Sequence, residues 1–120
     1  MIFSTRSARR LAALALILAL PAFAGSSVPA VAATPAKTVT VAIKMFAFTA
    51  RVITVAPGTT VIWTNEDDDP HTVTASDRSF HSAALDTGGK FSFTFTRAGD
   101  YSYFCSLHPQ MTGKVIVKAN

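Results

Sequence analysis

Cysteine occurs only once in these 120 residues, at Cys105, which excludes an internal disulfide. Histidine is scarce as well, with His71, His81 and His108 making three, too few for a histidine-rich multi-metal cluster. Charged residues amount to 15% of the chain, and outside its first 24 residues no apolar stripe of helical period and useful length appears. A helical bundle is therefore excluded. The formal net charge of +4 also says less than it suggests. Arg6, Arg9 and Arg10 are three of the 11 Lys and Arg residues, and without them the remaining 8 nearly balance the 7 Asp and Glu. A nucleic-acid partner calls for a persistent basic face, and the body of the chain has none.

What stands at the N-terminus is a basic flank, an apolar run from Leu11 to Leu20, Pro21 and the small-residue stretch Ala22-Phe23-Ala24. That is the pattern of a secretory signal, expected to occupy residues 1–24, with a second candidate cut as late as Ala32. The apolar run is about half the ~20 residues that a membrane-spanning helix requires, so no stable membrane insertion is expected. Arg9-Arg10 alone does not specify twin-arginine export, and the general route is expected. Residues 25–36, rich in Ala, Ser and Pro, read as a flexible leader. The folded domain is then 37–120, about 85 residues, small enough to need a well-filled core or a staple. With no disulfide available, a bound metal is the other common staple.

From Lys37 onward the hydrophobic period is two. Val39, Val41 and Ile43 alternate with Thr38, Thr40, Ala42 and Lys44, as in a half-buried strand. Val52-Ile53-Thr54-Val55 is a second strand, closed by the turn pair Pro57-Gly58. Thr59 to Thr64 carries the single tryptophan, Trp63, and leads through the polar loop Asn65 to Asp69 into His71-Thr72-Val73-Thr74. Ser76 to Lys90 is irregular, whereas Phe91, Phe93 and Phe95 alternate cleanly with Ser92, Thr94 and Thr96. Ala98-Gly99-Asp100 is expected to turn, Tyr101 to Cys105 to form the next strand, and Lys114 to Lys118 the last. Short strands with frequent turns predict an all-β fold, an antiparallel sandwich or barrel.

The chemistry concentrates in Cys105-Ser106-Leu107-His108-Pro109-Gln110-Met111. A thiolate, an imidazole and a thioether recur at intervals of three on a short loop between two strands, where all three can turn toward one point. Taken singly each has a plainer reading: a small buried cysteine, a surface histidine, a methionine filling the core. Together they form a soft donor set suited to copper rather than to magnesium or calcium. Two His, one Cys and a weak axial Met are the ligands of blue-copper electron-transfer centres. His71, 34 residues upstream and fixed by the restrictive Pro70, supplies the second imidazole. His81 has no partner at such spacing and reads as a loop residue. Glu66-Asp67-Asp68-Asp69 lacks the interleaving of a calcium loop and reads as a solvated acidic stretch that can attract a partner at long range.

With these residues in view, the chain resembles the cupredoxins, most specifically the amicyanin and plastocyanin branch. The likeness rests on Pro70-His71, on Gly99-Asp100-Tyr101-Ser102-Tyr103-Phe104-Cys105, on Gly113-Lys114-Val115 and on the compact spacing Cys105-x-x-His108-x-x-Met111. Ile43-Lys44-Met45 and Thr60 to Asn65 are amicyanin-like too, so the resemblance spans about Val39 to Val117. It implies a Greek-key β-sandwich of about eight strands with one copper ion near one end. It also implies the exposed edge of His108 as the electron port, with Leu107 and Pro109 giving apolar contact around it. Asn65, Pro70 and Thr72 would support the centre from behind. This branch commonly has an asparagine after the first histidine ligand, whose side chain braces the two ligand loops. Thr72 stands there, so that brace does not carry over, although the Thr72 backbone N–H can still reach the Cys105 sulfur.

The function expected is one-electron shuttling in the periplasm between redox proteins such as a cytochrome, dehydrogenase or oxidase, by a monomer that is not an enzyme. The alternative is a copper-binding module for storage, delivery or resistance on the same fold. A multicopper oxidase relative would need more histidines than His81 can provide.

Overall fold

Alternation of β-branched and aromatic residues with Thr, Ser and Lys sets the strands, because a pleated backbone sends successive side chains to opposite faces. The structure, a computed structural model, describes residues 15–30 and 36–120. The chain divides into two units, Met1–Ala32 and Ala33–Asn120. Arg6, Arg9, Arg10, the first part of the apolar run and Ala32 lie outside the described residues. Residues 15–30 carry neither helix nor strand and expose Leu16, Ile17, Leu18, Leu20 and Phe23. Among the described residues no helix is long and apolar enough to cross a membrane.

The second unit contains eight strands: β1 (Thr38–Lys44), β2 (Ala47–Thr49), β3 (Val52–Val55), β4 (Thr59–Asn65), β5 (Thr74–Ala75), β6 (Lys90–Phe95), β7 (Gly99–Phe104) and β8 (Thr112–Val117). They form two four-stranded sheets, ordered β2-β1-β4-β6 and β3-β8-β7-β5, and the fold is an all-β sandwich. Both sheets are mixed. β1 runs parallel to β4, and β3 runs parallel to β8, whereas the sequence led to an antiparallel arrangement. Period-two patterning reports which face of a strand is buried, not the direction of its neighbour. Here the chain leaves the first sheet after β2, supplies β3 to the second, and returns as β4 beside β1.

Two further differences follow from tertiary pairing. β7 begins already at Gly99, which pairs with Val117, so the crossing from the first sheet to the second is made by residues 96–98. The segment from His71 is not a continuous strand. His71 makes a single bridge to Leu85, and regular pairing begins only at Thr74.

The core fills from the inward faces of both sheets. Thr59, Val61, Trp63 and Asn65 of β4 are buried at every second position, opposite Val115 and Val117 of β8. Trp63 sits at the centre, near-parallel to Phe80 at 5.9 Å and edge-on to Tyr103 at 5.4 Å. Burying a wholly apolar ring such as that of Phe80 contributes about 1.5–3 kcal/mol relative to exposure. Gly113 lies directly beneath Tyr103, where any Cβ would collide with the tyrosine ring. Phe80 and Leu85 are buried as well, so the irregular stretch between β5 and β6 is anchored to the core rather than loose.

Candidate metal centre

β7 ends at Phe104 and delivers Cys105, fully buried, to one end of the sandwich. The loop that follows closes on itself. His108 N–H donates to the Cys105 carbonyl at 3.2 Å, Met111 N–H to the His108 carbonyl at 2.9 Å, and Cys105 N–H to the Met111 carbonyl at 3.0 Å. These three bonds wind seven residues into a tight pair of turns, with His108 half-exposed and Met111 buried. Leu107 and Pro109 are exposed beside His108.

The loop from Asn65 to His71 is built differently. Asn65 is wholly buried and uses its side chain three times. Its Nδ2 donates to the Asp69 and Leu85 carbonyls, each at 2.8 Å, and its Oδ1 accepts the Asp67 N–H at 3.0 Å. Pro70 is exposed and feeds directly into His71, which is buried and bonded through its backbone to Leu85.

Two distant segments thus bring three donors together. His71 Nδ1 and His108 Nδ1 each lie 3.7 Å from Cys105 Sγ. The three ligand atoms all fall within 4.8 Å of one another. Metal–nitrogen bonds of about 2.0–2.1 Å and a metal–sulfur bond of about 2.3 Å, opened to about 120°, place nitrogen and sulfur about 3.7 Å apart. The spacing is that of donors arranged round one ion. The set His, His and thiolate, with the buried Met111 on the same loop, is the soft combination that selects copper.

A family profile described as a cupredoxin-like domain matches residues 11–117. The chain belongs to the cupredoxin-like family. The amicyanin of Paracoccus versutus is 35% identical over 94 residues, which cover 74% of this chain and 71% of the relative. Amicyanin-alpha of Methylorubrum extorquens is 32% identical over 112 residues, covering 89% and 94% respectively. Among solved structures, a purple cupredoxin from Nitrosopumilus maritimus superposes with a TM-score of 0.63 at 31% identity, covering 66% of this chain and 98% of that one. An amicyanin variant in its oxidized state gives 0.64 at 31% identity, covering 68% and 82%. Family and donor set together identify a type 1 copper electron-transfer protein whose cofactor is one copper ion.

In this cupredoxin the brace between the two ligand loops comes from a hydroxyl. Thr72 Oγ1 accepts the Ser106 N–H at 2.7 Å and pairs with Ser106 Oγ at 2.8 Å. The Thr72 N–H donates to Cys105 Sγ at 3.2 Å, a bond that draws charge from the sulfur. Thr72 therefore ties the two ligand loops through its hydroxyl and its backbone N–H.

The acidic stretch is only partly the solvated loop that its composition suggested. Glu66, Asp68 and Asp69 are exposed, but Asp67 turns inward. Its carboxylate accepts the N–H groups of Met45 and Phe46 and lies 2.9 Å from His71 Nε2. Partial burial alone would raise the Asp67 pKa; the Phe46 and Met45 bonds, with His71 after them, more than reverse this and hold it below the usual carboxylate value. Phe46, equally unmarked in the sequence, places its ring edge-on to both imidazoles, 5.2 Å from His71 and 5.0 Å from His108. One sign was available: Asp67 precedes His71 by four residues. His81 is exposed, pairs through its backbone with Thr74, and is not in the donor group.

Proposed function

We propose that this cupredoxin is an exported carrier that passes single electrons between redox proteins in the periplasm. His71, Cys105, His108 and Met111 hold the copper, Cys105 as thiolate and Met111 as the weaker partner. The observation that carries the reading is the placement of two imidazole nitrogens at 3.7 Å from one buried sulfur. Bound copper supplies a one-electron couple. Everything else is the work of the polypeptide, which needs no general acid, base or substrate pocket. Asn65 fixes the His71 loop and the Thr72–Ser106 brace ties that loop to the Cys105 loop, so little reorganises when charge changes. The half-exposed His108, flanked by Leu107 and Pro109, is the surface at which a partner docks and the electron crosses.

Export follows from the basic flank, short apolar run and small residues of the first 24 positions, and a monomeric 37–120 domain is the form that acts. The partners are a cytochrome, dehydrogenase or oxidase. The deciding experiment is loading with Cu(II). The protein should turn intense blue or green by thiolate-to-copper charge transfer, bleach with ascorbate and recover on oxidation, and Cys105→Ala should remain colourless. Full colour in Cys105→Ala, or stoichiometric copper without colour in the parent, overturns the assignment. Expression in a bacterial host should place the cut chain in the periplasmic fraction, beginning at or after residue 25. Retention of the uncut chain in the cytoplasm contradicts export.

A further inference from the structure

β1 and β2 are joined by the two-residue loop Met45–Phe46, with Lys44 paired to Ala47. Both loop residues adopt positive φ, 50° and 56°. Hairpin loops of this kind favour Asn-Gly, because a side chain at positive φ crowds the backbone. Two large apolar residues here carry a conformational cost, and such strain persists only where its surroundings hold it.

What holds it is Asp67. Oδ1 accepts the Met45 N–H at 2.6 Å and Oδ2 accepts the Phe46 N–H at 2.9 Å. The same Oδ2 lies 2.9 Å from His71 Nε2. Both oxygens of this carboxylate already accept backbone N–H groups, and with Oδ2 accepting again from the imidazole it is Nε2 that carries the ring proton. Nδ1 then keeps its lone pair, and Nδ1 is the nitrogen that faces Cys105. One side chain of the β4–His71 loop thereby sets the tautomer of a buried histidine and secures the turn that lays Phe46 across both imidazoles.

We infer that Asp67 is the positioning residue of this metal centre, fixing His71 with Nδ1 free for copper and holding the Met45–Phe46 turn as a cover over His71 and His108. The inference rests on the assignment of these histidines as ligands. A carboxylate on the far nitrogen makes imidazole a stronger donor, which favours Cu(II) over Cu(I). Glu66 is the natural control. It is the neighbouring exposed carboxylate, 3.8 Å from Lys44 Nζ, and it lies outside the set of groups around His71.

The test compares the parent chain with Asp67→Asn and Glu66→Gln. In the metal-free parent, nitrogen-15 spectra should show His71 protonated at Nε2, and the Met45 and Phe46 amides should exchange slowly with solvent. Asp67→Asn should mix the two tautomers, speed exchange at both amides at least tenfold, and raise the copper midpoint potential. A tenfold loss of preference for Cu(II) corresponds to about 59 mV for one electron. Glu66→Gln should leave the tautomer and amide exchange unchanged and move the potential less. An Nδ1-protonated His71 in the parent overturns the inference, whether or not the Asp67 variant folds. Equal potential shifts in the two variants overturn it too, since charge alone would then account for the effect. A colourless copper-loaded parent defeats the ligand assignment instead, and the metal-free spectra still decide the tether.

Discussion

Two loops of equal length meet at the copper site and are built on opposite plans. Cys105 to Met111 contributes three donors and is wound by its own backbone, carbonyl to amide, with Thr72 as its tie to the other loop. Asn65 to His71 contributes one donor and is fixed by side chains, within the loop by Asn65 on Asp67 and Asp69 and by Asp67 on His71, and from elsewhere by Leu85, by the Thr87 hydroxyl on the Asp67 carbonyl at 2.8 Å, by Gly88 and Gly89, and by the Met45–Phe46 turn. A self-closed loop can carry its function in a short motif. A loop held from outside distributes its function over residues that no local pattern connects.

That contrast can be broken most directly at Asn65. Asn65→Ala strips partners from two carbonyls and one N–H, so the metal-free protein should lose about 2–4 kcal/mol in urea unfolding. The Cys105 loop should stay formed while His71 loosens and copper affinity falls. A loss under about 1 kcal/mol would mean that the loop does not depend on its buried amide. The converse variant is Gly113→Ala, at the position paired with Tyr103 across the strands that bracket the Cys105 loop. Its methyl group displaces the Tyr103 ring, and overpacking of this kind costs about 1–3 kcal/mol. If the Cys105 loop is self-contained, the copper colour should survive this destabilisation; a lost band shows that the loop leans on the strands behind it.

Smaller in effect is Thr72→Val, which keeps the shape but removes the acceptor for the Ser106 N–H. We expect about 1 kcal/mol, read by thermal unfolding of the metal-free form, with the Thr72 N–H bond to sulfur intact. No change would show that the two loops hold their relation without the brace. Least disruptive to the fold are Leu107→Glu and Pro109→Glu, since both positions are exposed. Stability and visible spectrum should be nearly unchanged, while electron exchange with a partner slows. Unaltered exchange would exclude this face as the docking surface.

The same contrast explains what could be read from the sequence. Val39 to Ile43, Val52 to Val55 and Phe91 to Phe95 appear as strands at almost their observed limits, because alternation is a local signal. Cys105, His108 and Met111 were visible because soft donors at intervals of three are rare by chance. The parallel pairings of β1 with β4 and β3 with β8 were not visible, since direction depends on chain crossings between sheets. Nor was Asp67. Its partners are the backbone amides of Met45 and Phe46, more than twenty residues upstream, and an amide looks the same whatever residue carries it. The brace at Thr72 was not visible either, because only the folded chain sets its hydroxyl against Ser106, 34 residues downstream.

β8 follows every other strand in the chain and yet lies between β3 and β7. A nascent polypeptide therefore has only the short β5–β7 pair of its second sheet until residues 112–117 have emerged, and β3 waits through the intervening sixty or so positions for its parallel neighbour. Cys105 emerges before that sheet exists to bury it. Metal capture in the finished geometry belongs to the completed chain. Until then the thiol is unshielded, open to oxidation and to adventitious ions. Rapid closure of β8 is what ends that exposure.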